Sequence, residues 1–379
     1  MRIISPDQLV VTDVSQLKPY DRYVVADCEF DTLKDRTPHT NWEWSSFNSY
    51  ERRYGGQDLN GKRVCIYRHS AFGDQLMVSA LPRYLKAKYP QALIHLYCHP
   101  SVQSMWYGNP FVDNSAISLP IPFDAMKRYD YHIFFEGMLE GNSETDQSCC
   151  YDDMFDFCGC RNVPDGFKRP HFQSRPEDYK TFNDLALSRP YLVYHLSPAN
   201  PNRMYPWDQG MDFIQRFHAE RPDWMVLIVG QKTLVTGTKL EVNAAGMMQQ
   251  GEYPWLVDLT DKTPDFRQLA AILENAKIVV CPDSSVMHLA AAFPQGPQVI
   301  SLWGLFNPND RMKYYPKNTP LYFPSVCPYA PCRSHNFELP LERCAKAKQH
   351  KAGFCQCLAS ITPEELTAVV CSQAGKGIG

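Results

Sequence analysis

The chain has no apolar run near the roughly 18 residues needed to cross a bilayer. Its first residues, Met1-Arg2-Ile3-Ile4-Ser5-Pro6-Asp7, lack the apolar stretch of a secretory leader. With no export signal, fourteen cysteines point to a reducing cytoplasm, with thiols free or metal-bound rather than disulfide-bonded. Net charge is only −3, so the whole-molecule field is not one built for nucleic acid. Low-complexity tracts and internal sequence repeats are absent as well. What remains is an ordinary globular composition, 44% hydrophobic and 21% charged, over 379 residues. That length is long for one core, and two domains are the expectation.

Residues 1–60 are aromatic and polar without clear periodicity, as in Asn41-Trp42-Glu43-Trp44 and Tyr50-Glu51-Arg52-Arg53-Tyr54-Gly55-Gly56. They read as an extension of short elements that packs onto a first domain at 61–180. There, Arg63-Val64-Cys65-Ile66-Tyr67 is strand-sized, and Leu76, Met77, Ala80, Leu81, Tyr84 and Leu85 fall on one helical face. Ala92–Tyr97 and Tyr131–Phe135 are further strands, and strand–helix–strand order implies a parallel sheet. Polar residues around Pro164, Pro170 and Pro176 mark the connection between domains. A second α/β series occupies 190–361, with strands at Tyr191–Leu196, Trp224–Gly230, Lys277–Val280 and Gln298–Trp303. Thr263 is the expected N-cap of a helix near Phe266–Leu273, with Pro264 at its first position. A C-terminal helix and tail fill 362–379, opened by the capping signal Thr362-Pro363-Glu364-Glu365.

Two turns carry most of the functional information. Arg68-His69-Ser70-Ala71-Phe72-Gly73-Asp74-Gln75-Leu76 and Cys281-Pro282-Asp283-Ser284-Ser285-Val286-Met287-His288-Leu289-Ala290 each join a β-like run to a helix-like run. Such a turn leaves the first helical N–H groups unpaired and pointing outward, where they attract anions, phosphates above all. One such turn per α/β half suggests a phosphorylated donor on one side and an acceptor on the other, the outline of a transferase.

The same residues resemble a known family. Ser70-Ala71-Phe72-Gly73-Asp74-Gln75-Leu76, followed by Ala80-Leu81-Pro82-Arg83-Tyr84-Leu85-Lys86 and Tyr89-Pro90-Gln91-Ala92, is similar to the opening of family 9 glycosyltransferases, relatives of the ADP-heptose:lipopolysaccharide heptosyltransferases. Asp283 to Ala292 resembles their donor-site segment, and Leu302-Trp303-Gly304-Leu305-Phe306-Asn307-Pro308 the loop that follows it. The resemblance runs from about residue 62 to 372. It implies a GT-B fold, two Rossmann-like domains facing a cleft, with inverting, metal-independent sugar transfer from an ADP- or UDP-linked donor to a saccharide or other hydroxyl.

The resemblance also implies site residues. Asp74 would be the general base that takes the acceptor proton, the alternative being an N-cap of a helix beginning at Gln75. Gly73 would let the backbone approach the reacting groups, and His69 and Ser70 would line the acceptor pocket or serve structure alone. Ser284, Ser285 and Val286 would bind the diphosphate through their amides, with Ser285 standing where the family usually has Gly. Asp283 is assigned to a sugar or ribose hydroxyl or to holding the loop, and His288 to the diphosphate or to packing. Gly304 belongs to the donor loop. Arg203, in Ser197–Trp207, would offset charge on the leaving diphosphate, and a solvated loop cation is the plain alternative. Glu136 follows a strand end and is a weaker acceptor-side candidate.

Cys327, Cys332, Cys344, Cys355 and Cys357 are dense enough for a structural zinc or iron, yet lack paired C-x2-C knuckles. Reduced thiols packing a small subdomain are the other reading. Asp152-Asp153 reads as a surface acidic pair. Two further functions stay open: the same chemistry on a protein side chain or a hydroxymethylated DNA base, and a non-catalytic nucleotide-sugar-binding module. A DNA acceptor calls for a basic groove, and the only basic run is Lys346–Lys351.

Overall fold

Short apolar β-runs between helices with one apolar stripe dictate layered α/β structure, and the computed structural model has it twice. It describes residues 1–12, 15–48, 51–69, 71–116, 120–135, 148–195, 203–231, 253–263, 265–327, 330–331 and 355–375. Ser70, Glu136, Cys332, Cys344, residues 197–202, Pro264 and the basic run 346–351 lie outside the described residues. Contacts divide the chain into two units, Met1–Thr145 with Cys150–Phe172, and Asp146–Cys149 with Gln173–Gly379.

The first unit begins with β1 (Arg2–Pro6), a small hairpin of β2 (Val10–Val11) and β3 (Gln16–Leu17), β4 (Tyr23–Val25), α1 (Asp27–Arg36) and β5 (Trp42–Ser46). β1 pairs antiparallel with both β4 and β5. The segment without visible periodicity therefore contains a sheet. β5 hides its strand character because it is an edge strand, exposed along most of its length. The parallel sheet follows through β6 (Arg63–Tyr67), α2 (Phe72–Val78), α3 (Ala80–Lys88), β7 (Leu93–Tyr97), α4 (Pro100–Gln103) and β8 (Asn114–Ala116). β9 (Ile121–Pro122) returns to pair with β4, and α5 (Phe123–Met126) leads into β10 (Tyr131–Phe134). The parallel order is β10-β6-β7-β8. Val24 and Ala26 pack with Cys65, Tyr67, Tyr97 and Tyr129, so the N-terminal sheet shares apolar core with the parallel one. α6 (Cys150–Phe157) completes this unit.

The second unit starts with α7 (Lys180–Asp184), then β11 (Tyr191–His195), α8 (Trp207–Glu220), β12 (Met225–Val229) and β13 (Leu256–Asp258). It continues with α9 (Phe266–Asn275), β14 (Ile278–Pro282), α10 (Ser285–Ala291), β15 (Gln298–Trp303), α11 (Asn309–Met312) and β16 (Asn318–Tyr322). α12 (Gln356–Ala359) and α13 (Pro363–Ala374) close it. The sheet is six-stranded, in the order β13-β12-β11-β14-β15-β16, with every pairing parallel. β11 and β14 are buried along their whole length, which explains their unbroken apolar sequences. Read in chain order this is the 3-2-1-4-5-6 arrangement of a Rossmann-like sheet, whose ligands bind beyond the strands' carboxyl ends.

Capping follows the sequence at one helix and departs from it at another. Thr362 and Glu365 form the expected capping box on α13, whose Leu366, Val370 and Ala374 join the core around Phe213 and Phe217 of α8. α9 begins later than its Thr263-Pro264 signal predicts. Asp265 is the N-cap instead, accepting from the Gln268 amide at 2.8 Å. An aspartate two residues downstream offers a stronger acceptor than the threonine hydroxyl, and the helix starts there.

Candidate functional site

In the first unit, β6 ends at Tyr67, Arg68 and His69 follow it, and α2 starts at Phe72 with Ala71 at its N-cap. Asp74 therefore does not cap a helix beginning at Gln75; it sits in the first turn of one begun earlier. Nη2 of the buried Arg68 guanidinium pairs with Oδ2 of this carboxylate. Nη1 of Arg68 donates to the Phe135 carbonyl at 3.1 Å, tying the guanidinium to the chain just past β10. Gln75 donates to the Arg68 carbonyl at 2.7 Å and accepts from Nε1 of Trp106 at 2.9 Å, fixing the turn from beneath. The Asp74 side chain remains 23% exposed, enough to meet a solute. Gly73 lies within the same helical turn.

His69 lies beside this pair. Its ring is 5.1 Å from that of His99, and Nε2 is 4.0 Å from Oε1 of Glu29. Burial, reinforced by the His99 and Arg68 charges, pushes its pKa down to about 4, so the ring is neutral at pH 7. Glu29 was not among the residues singled out from sequence. It comes from α1, and its Oε2 accepts from the Tyr67 hydroxyl at 3.2 Å. Nothing in a local motif marks Glu29, because it reaches the β6 turn only through packing of the N-terminal helix.

In the second unit, β14 ends at Pro282, Ser284 is the extended N-cap, and α10 follows from Ser285. The Asp283 side chain is 5% exposed and lies 3.5 Å from Nη1 of Arg203 and 4.0 Å from Nε of Arg311. Nη1 of Arg203 also donates to the Asp283 carbonyl at 3.3 Å. Both guanidiniums lie over the Phe306 ring, at 5.4 Å for Arg203 and 4.5 Å for Arg311. Asp283 and Phe306 thus hold two cations side by side at the carboxyl end of the sheet. The sequence named Arg203 and Asp283 and missed Arg311, whose one-turn helix α11 carries no recognisable signature.

Other donor-side candidates have structural occupations. Ser284 Oγ is 3.2 Å from Nδ1 of His195, and Nδ1 of His288 is 2.6 Å from the Tyr315 hydroxyl. Burial holds His288 far down, to about 3, with Asp283 opposing and Arg311 and Arg203 assisting the shift. It is a neutral packed ring rather than a cation. Val286 is buried, and Ser285 is half-buried. A side chain at Gly304 would meet Sγ of Cys357 at 2.7 Å and Cγ of Leu358 at 3.3 Å, so this glycine is required for close packing of α12. Cys355 and Cys357 are buried together, and the turn Pro324–Val326, which Cys327 follows, packs against α12. A hydrogen bond from Cys355 lowers the pKa of the Cys357 thiol. Among the described residues no group of three or more His, Cys, Asp or Glu is placed to hold a metal ion. Asp152 of the acidic pair is bound by Lys168 at 2.7 Å.

Residues 161–330 match the family model described as Glycosyltransferase family 9 (heptosyltransferase). That segment is a family 9 glycosyltransferase domain. The match includes Arg203, Asp283 and Arg311, and a likeness of fold to solved structures covers most of the chain. The structure of ADP-heptose lps heptosyltransferase II from E. coli aligns with a TM-score of 0.62 at 16% identity, covering 84% of this chain and 100% of that one. A family 9 glycosyl transferase from Veillonella parvula aligns with a TM-score of 0.60 at 14% identity, covering 85% and 99%. The iron-containing dodecameric glycosyltransferase TibC from enterotoxigenic E. coli aligns with a TM-score of 0.56 at 13% identity, covering 84% and 80%. These likenesses give the fold, which is GT-B-like. No curated protein sequence matches the chain. With that domain the chain is a glycosyltransferase that uses a nucleotide-sugar donor. Among the described residues no helix is long and apolar enough to cross a membrane.

Proposed function

We propose that the enzyme catalyses inverting, metal-independent transfer of a heptose or similar sugar from a nucleoside-diphosphate donor to an acceptor hydroxyl, with Asp74 as general base. The observation that carries this reading is the pairing of Arg203 and Arg311 around buried Asp283. Their side-by-side guanidiniums suit the two phosphates of a diphosphate, whose charge grows as the bond to the anomeric carbon breaks. Ser284 and Ser285 contribute amides beside them. Asp283 acts by orienting the arginines rather than by binding a sugar hydroxyl.

On the acceptor side, Asp74 takes the hydroxyl proton as the oxygen attacks the anomeric carbon from the face opposite the leaving diphosphate. Arg68 fixes the carboxylate's orientation through one oxygen. Neutral His69 and Glu29 border the base and offer hydrogen bonds to acceptor hydroxyls. An ADP-linked heptose is the first donor to test, since the E. coli neighbour is named for that donor. Mass-spectrometric screening of ADP- and UDP-sugars for turnover decides donor identity, and Asp74→Asn decides the base. Loss of turnover with donor binding retained is expected; undiminished turnover removes Asp74 from the mechanism.

A structural metal held by the late cysteines is the second reading for that segment. Cys355 and Cys357 are adjacent, buried and biased toward thiolate at Cys357, which is the ionisation a metal requires. Elemental analysis finding about one iron or zinc per chain supports it, and metal-free protein of full stability leaves thiol packing.

A further inference from the structure

A second basic cluster lies in the first unit, away from the Asp74 turn. Arg83 is in α3, nine residues along the chain from Asp74. Arg169 and His171 flank Pro170 on the segment that leaves the unit. The cluster is built by specific contacts. Arg83 donates through Nη2 to the Gly166 carbonyl and lies over the Phe167 ring at 5.3 Å. The His171 amide donates to Oγ of Ser79, between α2 and α3, at 2.7 Å, and its ring stands edge-on to Phe111 at 4.9 Å.

Its polar atoms are not satisfied. Nε of Arg83, Nε of Arg169 and Nε2 of His171 are all buried without a hydrogen-bond partner. Among the described residues, no carboxylate pairs with either arginine. The nearby acids are otherwise engaged: Lys168 binds Asp152 at 2.7 Å and Asp165 at 3.6 Å. Arg83 instead feels Arg169, which with burial lowers its pKa to about 10, while Tyr151 opposes. Burial and the same two arginines take His171 down to about 4. Two half-buried like charges beside a neutral imidazole are costly in isolation, and unpaired buried donors add to the cost. A bound oxyanion removes both penalties at once, since each guanidinium presents a planar donor fork to phosphate or carboxylate oxygens.

We propose that Arg83, Arg169 and His171 form an oxyanion site that takes a phosphate or carboxylate group. The site stands independently of the transferase reading, because it rests on contacts within the first unit and uses no residue of either candidate centre. The oxyanion comes either as a free ion or as an acidic substituent on a sugar.

Calorimetric and thermal-shift titrations of the full-length protein test this, with inorganic phosphate, glucose 6-phosphate, glucuronate and glucose as probes. Both titrations use the Arg203→Gln/Arg311→Gln background, so that phosphate binding in the second unit does not contribute. Adding Arg169→Gln should leave the melting temperature without ligand unchanged or raised, because it removes a repelling charge. It should weaken phosphate binding about ten- to hundredfold, the loss expected for one charge-assisted contact. Arg83→Gln is the weaker variant to interpret, since Arg83 also holds Gly166. Tighter binding of glucose 6-phosphate or glucuronate than of phosphate, lost with Arg169→Gln, assigns the oxyanion to a sugar substituent. Equal binding of phosphate and sugar phosphate, lost in the same way, assigns a free ion. Phosphate affinity that ignores Arg169→Gln, or an Arg169→Gln protein that melts lower without ligand, overturns the site.

Discussion

Two strand-to-helix turns, one in each unit, place their aspartates in opposite surroundings. Asp74 is 23% exposed and held by one buried arginine, whereas Asp283 is 5% exposed and lies between two arginines. An accessible carboxylate with a fixed orientation can meet a substrate proton. A buried one flanked by cations can only organise its neighbours. A strand-to-helix turn is therefore suited to the proposed base chemistry in one unit and to the proposed diphosphate recognition in the other, and the side chains arriving from elsewhere make the difference.

The largest effect should separate the two aspartates. Asp74→Asn should cost on the order of 10²–10⁴-fold in turnover with the melting temperature and donor affinity near wild type. Asp283→Asn should instead lower stability by about 1–3 kcal/mol and weaken donor binding, because two guanidiniums lose their common counter-charge. Chemical denaturation and donor titration of both variants check this, and exchanged phenotypes would break the comparison. Next in size, Arg203→Ala and Arg311→Ala should each weaken donor binding about ten- to hundredfold and also reduce turnover, read by calorimetry beside product formation. Arg68→Gln should leave donor affinity unchanged while reducing turnover, since Arg68 pairs with Asp74 and lies in the first unit.

A smaller effect tests packing in the donor loop. Gly304→Ala should destabilise the protein by about 1–3 kcal/mol, because the added methyl meets Cys357 at 2.7 Å. Pairing it with Cys357→Ala should recover most of the melting temperature; no recovery would place the strain elsewhere.

The smallest expected effects concern pH. His69 is held at about 4 and His288 at about 3, both below the ordinary 6.5. Below about pH 6.5 the unfolded chain therefore binds more protons than the folded one. The stabilisation is present above that pH and is lost as pH falls toward the folded values. Between pH 7 and 5 each histidine should contribute on the order of 1–2 kcal/mol to the decline. Denaturation midpoints of His69→Gln and His288→Gln across that range should fall less steeply than wild type; parallel curves would show that these rings do not carry the effect.

The core strands and the C-terminal helix were legible because each rests on a local pattern. β11, β12 and β14 are continuous apolar runs, and Thr362 with Glu365 is a complete capping box. Asp74 and Asp283 were legible because their turns lie between such runs. β5 was not, since an exposed edge strand has no burial pattern to display. Nor was the start of α9, where two adjacent capping signals competed and the carboxylate won.

By itself the sequence determined two α/β units, the strand-to-helix turns that carry Asp74 and Asp283, and a family resemblance, because strand runs, helix periods and turns between them are local properties of the chain. Only the tertiary structure decided that Glu29 reaches the Asp74 turn, that Arg311 joins Arg203 over Phe306, and that Gly304 is needed beneath Cys357. It alone also brought Arg83 to Arg169 and His171. Contacts between residues distant in sequence depend on how helices and loops pack onto the sheets, and no local pattern encodes that packing.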